Sequence, residues 1–311
     1  MERLILPEIN SRIDEELDGT GPLSYKQVTQ EQHDEAVTKC LEFLAADILE
    51  SGEAYLDKWE RGWGENLAEF ESLGLGEEAL TAIAPKFVRK GSPVKLRGKW
   101  IMPNHPNFER DWVSLLREFL ADSHFSKVNA LYEFGSGTGH NLVHFSSLLP
   151  GIKLFGYDWS LNSVHLQNAF AEKASIPLVA QRLDLFHPES FEMLSNPSDS
   201  ALLTVGTIEQ LGRNYAPVLN QILKSGFGVV VHIETTYELY NPENIVDFLS
   251  IKYLEKRNWS RGYFAQLDGL QKSGEIEILE QGRTFGSFYH EGYTMTVWRP
   301  RKNSSTTRTS R

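Results

Sequence analysis

One cysteine, Cys40, stands alone among 311 residues, so no internal disulfide can form and stability has to come from burial. That usage fits a reducing compartment, and a cytoplasmic location is expected. Long apolar runs are also missing. None approaches the ~18 residues that a membrane helix needs, so no membrane span is expected. The first fifteen residues carry one short apolar patch, Leu4–Leu6, followed closely by Asp14 and Glu15. They are read as neither a secretory signal nor an arginine-rich transit peptide. Basic charge is scarce too. The formal net charge is -11, and the last 13 residues hold five basic groups and no acid, which leaves the preceding body at -16. So acidic a body repels a phosphate backbone, which disfavours nucleic acid and favours a small-molecule partner. The Ser/Thr/Arg-rich tail, 301–311, is expected to be disordered. Oligomeric state is not encoded in any of these features.

From Val128 onward, short apolar strands alternate with helical stretches, the pattern of a parallel α/β sheet. The strands are expected at Asn129–Phe134, Ile152–Tyr157, Pro177–Leu183, Ala201–Gly206 and Gly228–Glu234. Helices are expected at His140–Leu149, Ser160–Lys173, Ala216–Lys224 and Asn244–Lys256. Glu275–Glu280 and Tyr293–Trp298 both alternate like strands, with no helix between them, so they must run antiparallel as neighbours. Ahead of the sheet the expectation is a helical cap, 1–125, leaving 126–300 as the α/β domain. A capping box, Thr29-Gln-Glu-Gln32, starts one cap helix. A second, Glu53–Phe70, places Tyr55, Trp59 and Trp63 at helical spacing, read as helix packing. Asp111–Leu120 forms another helix, and Lys99-Trp100 with Asn104–Asn107 reads as a polar loop before the core.

The densest chemistry lies in Glu133-Phe-Gly-Ser-Gly-Thr-Gly139. A glycine turn between strand and helix lets backbone approach a ligand, and the helix start beyond it offers unpaired N–H groups. Alone, this turn fits either a dinucleotide or another adenosine-containing cofactor. A dinucleotide fingerprint wants a small residue at 140, where this chain has His140. Asp158, ending the second strand, can accept hydrogen bonds from ribose hydroxyls in either case.

Residues 129–299 resemble the class I S-adenosylmethionine-dependent methyltransferases. Glu133–Gly139 is similar to their first motif, Asp158 to their acid after strand two, and Arg182-Leu-Asp184-Leu185 to their third motif. Leu203–Leu211 resembles the segment after strand four, and Leu223–Gly228 their turn before strand five. The resemblance implies a Rossmann-like seven-stranded sheet whose last strand is antiparallel. It implies S-adenosyl-L-methionine as cofactor, held by Glu133, Gly135, Ser136, Gly137, Thr138, Gly139, Asp158, Trp159, Asp184, Leu185 and Thr207. Many small-molecule members carry Glu-His after strand four, where this chain has Glu209-Gln210. The Asn/Asp-Pro-Pro-Tyr motif of amino-directed DNA methyltransferases is absent. The expected activity is methyl transfer to an oxygen or nitrogen of a small molecule or soluble conjugate. An NAD-dependent oxidoreductase on a related fold and a non-catalytic cofactor-binding scaffold are the alternatives.

Ligands on such sheets sit at the carboxyl ends of the parallel strands, which directs attention to the loops 232–242 and 281–292. A hydroxyl acceptor calls for a general base, most often histidine. His290 is the first choice and His232 the second, with Glu234, Tyr237, Tyr289 and Glu291 as acceptor contacts. His232, Glu234 and Glu209 mix imidazole with carboxylate, but their spacing specifies no metal site, and no metal is expected. His140 and His144 lack the intervening glutamate of a His-Glu-x-x-His helix and read as core or surface histidines.

Overall fold

The computed structural model describes residues 9–12, 21–48, 50–73, 79, 83 and 91–301. The basic tail from residue 302 onward and most of the first fifteen residues lie outside the described residues. None of the described helices is long and apolar enough to cross a membrane.

Seven strands form the main sheet: β4 (Ala130–Phe134), β5 (Lys153–Asp158), β6 (Leu178–Arg182), β7 (Ser200–Val205), β8 (Val229–Ile233), β9 (Ile276–Gly282) and β10 (Met295–Pro300). Their order is β6-β5-β4-β7-β8-β10-β9. The first five pair in parallel, and β10 runs antiparallel to both β8 and β9. This is the reversed last strand that the resemblance implies, inserted between its two neighbours. The order turns around at β4, so the crevice above β4 and β7 is the natural place for a ligand.

Period-2 alternation sorts the strand side chains between two cores. In β4, Leu131 joins the layer beneath α4 (His140–Leu148) and α5 (Leu161–Ala174), with Leu142, Phe145 and Leu166. Ala130, Tyr132 and Phe134 join the opposite layer, beneath α6 (Ala216–Ser225) and α8 (Tyr263–Ser273). Helix α8 was not foreseen. Gly269 interrupts its interior, and only Tyr263, Phe264 and Leu267 of its side chains are buried, too few for a clear stripe. α7 (Ile245–Lys256) starts on Asn244, whose side chain accepts the Val246 N–H at 2.8 Å.

The region before the sheet holds α1 (Gln30–Ala45), α2 (Leu56–Ser72) and α3 (Phe108–Leu120). Both halves of the capping box form: Thr29 Oγ1 accepts the Gln32 N–H, and Gln32 Oε1 accepts the Thr29 N–H. The cap is not purely helical, which corrects the sequence reading. It contains a small antiparallel sheet of β1 (Tyr25–Gln27), β2 (Val94–Leu96) and β3 (Lys99–Pro103), in the order β1-β3-β2. Lys99-Trp100 therefore lies in a strand, not a loop. Glycine and charged residues masked the alternation, and of its two partners β2 has only three residues while β1 is distant in sequence.

This hairpin is joined to the 283–291 loop of the core. The Lys95 N–H donates to Ser287 O at 3.1 Å and the Gly286 N–H to Lys95 O at 3.0 Å. The fully buried Lys95 ammonium donates to Val246 O at 2.8 Å and Tyr289 O at 3.1 Å. Burial depresses its pKa to about 8. Cap and core thus hold one loop between them, the loop that carries His290.

Candidate functional site

A cavity of about 970 Å³ opens above the carboxyl ends of β4, β5 and β7. That is near the upper end of the range for small-molecule sites, large enough for two partners side by side. Its floor is the turn after β4. Gly135, Gly137 and Gly139 all have positive φ, at 66°, 52° and 76°. The need for glycine is also steric: a Cβ on Gly135 would lie 2.2 Å from Thr207 Oγ1, and one on Gly139 2.7 Å from Gln167 Cγ. Gln167, from α5, braces the turn beneath by donating to Ser136 Oγ at 2.9 Å and Gly137 O at 3.0 Å.

Two acids flank this floor. Asp158 accepts the Gly137 N–H at 2.8 Å and the Ser160 N–H at 3.0 Å. Burial raises it to about 6 against those two donations. Glu133 is 1% exposed. Its Oε1 accepts from Asn141 Nδ2 at 2.6 Å, while its Oε2 is buried without a partner. Burial raises Glu133 to about 8, with Asn141 and Arg117 opposing. Asn141 in turn accepts from Arg117 Nη2 at 2.6 Å, so one amide links the guanidinium to the carboxyl. Arg117 also meets His140 Nδ1 at 2.7 Å; burial and that cation hold His140 down to about 3, a neutral ring. Trp159 Nε1 is another buried polar atom without a partner. Ser136, Thr138, Asp184, Leu185 and Thr207 line the same cavity. All the residues named for the cofactor except Gly139 therefore border one space, with Gly139 supporting the turn.

The acceptor assignments divide. His290 and Tyr289 line the cavity. The His290 ring stacks on Tyr253 at 5.3 Å and meets Trp259 edge-on at 4.8 Å, which fixes its plane. Burial first, and then the charges of Lys95 and Arg257, lower it to about 3. It is a neutral imidazole across the physiological range.

His232, Glu234, Tyr237 and Glu291 are not among the residues that line the cavity. His232 is fully buried between β8 and α8. Its Nδ1 pairs with Thr204 Oγ1 at 2.9 Å and its Nε2 with the Tyr263 hydroxyl at 3.0 Å. With both nitrogens engaged it is a core residue. Glu234 takes the Thr207 N–H at 3.0 Å and the Glu209 N–H at 3.3 Å, shaping the turn after β7. Tyr237 packs beneath the Arg261 guanidinium at 5.2 Å. Glu291 accepts the Gly98 N–H at 2.6 Å and Arg283 Nε at 2.5 Å, tying the 283–291 loop to the cap. Among the described residues no group of three or more His, Cys, Asp or Glu is placed to hold a metal.

Other cavity residues were not identified from the sequence. Tyr55, Trp59 and Trp63 face the cavity instead of serving only as packing, and a Cβ on Gly137 would touch Trp63 Cζ2 at 3.0 Å. The Trp59 and Trp63 rings stack at 5.5 Å. Their spacing announced an apolar face; what that face would cover was not local information. Tyr253, Arg257 and Trp259, at the end of α7, also line the cavity. Tyr253 and Arg257 are four apart, a same-face pair that a search of α7 for polar neighbours could have found. Glu209 borders the cavity as well. Burial, and then the charge of Glu234, push its carboxyl well up.

No family model and no curated protein matches this sequence. Solved structures with a similar chain path include the mitomycin 7-O-methyltransferase, at 11% identity, covering 64% of this chain and 59% of that one with a TM-score of 0.45. The pyocyanin biosynthetic protein is similar at 14% identity, over 64% and 60%, with a TM-score of 0.45. Human N-acetylserotonin methyltransferase, solved with S-adenosylmethionine, is similar at 14% identity, over 63% and 55%, with a TM-score of 0.41. The match spans less than two thirds of each of these three chains. The assignment of fold rests on the strand order and the reversed β10.

Proposed function

We propose that this protein transfers a methyl group from S-adenosylmethionine to an oxygen or nitrogen of a small molecule. The observation that carries the reading is the joint presence, at the reversal point of the sheet, of a glycine cradle and buried unsatisfied polar atoms on residues that line one cavity. Side chains at 135 and 137 would run into Thr207 and Trp63, which wall the same cavity. Glu133 Oε2 and Trp159 Nε1 are a buried acceptor and a buried donor with no protein partner, suited to a ligand that brings an ammonium and a heterocycle. The cofactor supplies an electrophilic methyl group on a sulfonium.

The chain's own residues then have distinct tasks. Glu133, as the carboxylate, holds an ammonium. Asp158 keeps lone pairs beyond its two backbone donors and can accept from ribose hydroxyls. Asp184, Leu185 and Trp159 surround the base end. The indoles of Trp59 and Trp63 exclude water above the glycine turn, and Tyr289 and Tyr253 wall the acceptor side. His290 is the group to take the acceptor's proton. Neutral at physiological pH, with its ring plane fixed, it is ready to accept a hydrogen bond; its depressed pKa makes it an orienting acceptor first and a weak base second.

Titration calorimetry of the full chain with S-adenosylhomocysteine tests the reading. Binding is expected, with Asp158→Ala weakening it by about tenfold or more, the loss of charge-assisted hydrogen bonds. An intact, folded protein that binds no S-adenosylhomocysteine, or that binds NADH in its place, overturns the proposal.

A further inference from the structure

Resting on that reading, we infer that the methyl acceptor is an anion, a carboxylate or phosphate ester carried on a planar body, whose charge is held by Arg257 at the aromatic end of the cavity. Arg257 follows the last residue of α7. Its guanidinium carbon lies 5.0 Å above the Tyr55 ring and 5.7 Å above the Trp259 ring. Ser51 Oγ fastens the assembly, accepting from Trp259 Nε1 at 2.7 Å and from Arg257 Nη2 at 3.4 Å. Two aromatic faces and a buried serine thus fix the orientation of a cation beside the cavity. A guanidinium held in this way meets a planar or tetrahedral oxyanion with little further loss of side-chain freedom.

Acids outnumber cations around the cavity, so the groups that face Arg257 decide whether it can hold an anion. Lys39, exposed on α1, borders the same cavity, where water screens its charge. The facing acid is Glu209, whose Oε2 accepts the Thr235 N–H at 3.2 Å and whose Oε1 accepts Gln210 Nε2 at 3.2 Å. Glu234 is buried alongside, and two carboxylates in one low-dielectric pocket resist ionising together, so the pair sets at most one negative charge against Arg257. Glu42 sits near Lys39 on the exposed face of α1, where water screens it. The body of the acceptor meets aromatic side chains: Tyr253 stacks with His290, and Phe43 packs against Tyr253 and Tyr289, each pair at 4.9 Å. A planar ring placed here has its charge toward Arg257 and a nucleophilic atom toward His290.

The test uses the full chain saturated with S-adenosylhomocysteine, titrated with four probes: 4-hydroxybenzoate, phenyl phosphate, uncharged 4-methylphenol and cationic tyramine. The two anions are expected to bind more tightly than the other two, and whichever binds tighter separates the carboxylate from the phosphate. Arg257→Met, which keeps the stem over the rings, should weaken the anions about tenfold and leave S-adenosylhomocysteine unchanged; Arg257→Lys should recover part of the loss. Should Arg257→Met not fold, raising the salt on the unmodified protein must weaken the anions selectively. Equal binding of all four probes, tighter binding of tyramine, no binding of any probe, or indifference to Arg257→Met overturns the inference. Anion binding that persists where S-adenosylhomocysteine fails to bind would remove the cofactor reading and leave this subsite standing.

Discussion

Glu133→Gln should stabilise the ligand-free protein, and more so as the pH rises. Glu133 is buried at the floor of the cavity with one hydrogen bond, from Asn141 at 2.6 Å, and one oxygen unpartnered. Burial raises its pKa from 4.5 to about 8. The sign follows from proton linkage. Between those two values the folded protein keeps a proton that the unfolded chain has lost, so the contribution of Glu133 to stability is full below 4.5. It is lost as the pH rises through 8. At ~1.36 kcal/mol per unit, the loss amounts to about 2 kcal/mol by pH 6 and about 4 kcal/mol by pH 8. Glutamine has the same shape, can accept from Asn141 and cannot ionise. The variant should therefore resemble the native protein near pH 4.5 and exceed its stability by a growing margin up to pH 8. Urea unfolding followed by circular dichroism, at half-unit steps of pH, measures the margin. The same variant should bind S-adenosylhomocysteine about tenfold more weakly, since an amide pairs poorly with an ammonium. Affinity of the native protein should correspondingly rise with pH as Glu133 ionises. A margin that is flat with pH, or a variant less stable throughout, would refute the assignment of Glu133 as a carboxyl whose burial is maintained for a ligand.

Two further outcomes separate supporting from contacting residues. Gly135→Ala brings a Cβ to 2.2 Å from Thr207 Oγ1 at a φ of 66°, so both the glycine turn and the Thr207 wall must shift. We expect a loss of about 2 kcal/mol in stability together with loss of S-adenosylhomocysteine binding, read by thermal unfolding with and without ligand. His232→Leu strands the Tyr263 hydroxyl in the core, removes one partner of Thr204 and should cost about 2–4 kcal/mol. The fraction that folds should bind S-adenosylhomocysteine as the native chain does, and a folded variant with weakened binding would return His232 to the site.

Much of the fold was legible because its signals are local. Strand and helix periods, the Thr29–Gln32 capping box, and the glycines of the first turn act within a few residues of themselves. The antiparallel β10 followed from the absence of a helix before it. The small cap sheet and α8 did not announce themselves, since the first joins a very short hairpin to a strand some seventy residues earlier and the second is short and broken by glycine. On the site, nothing local to His232 said which layer of the sheet its side chain would meet. Tyr263 from α8 filled it, and a candidate base became a core residue.

The sequence by itself determined the β-turn-α unit from Glu133 to Gly139, Asp158 at the next strand end, and therefore the kind of cofactor to test. These depend on backbone geometry and on chemistry within one turn. Only the tertiary structure decided which residues of the two acceptor loops face the cavity. Glu234 and Glu291 were drawn away by backbone N–H groups and Arg283, while Arg257, Tyr55 and the two tryptophans were brought in from separate helices. A buried carboxylate goes where its donors are, and those donors lie outside its own turn: Thr207 and Glu209 for Glu234, and Gly98, from the cap, for Glu291.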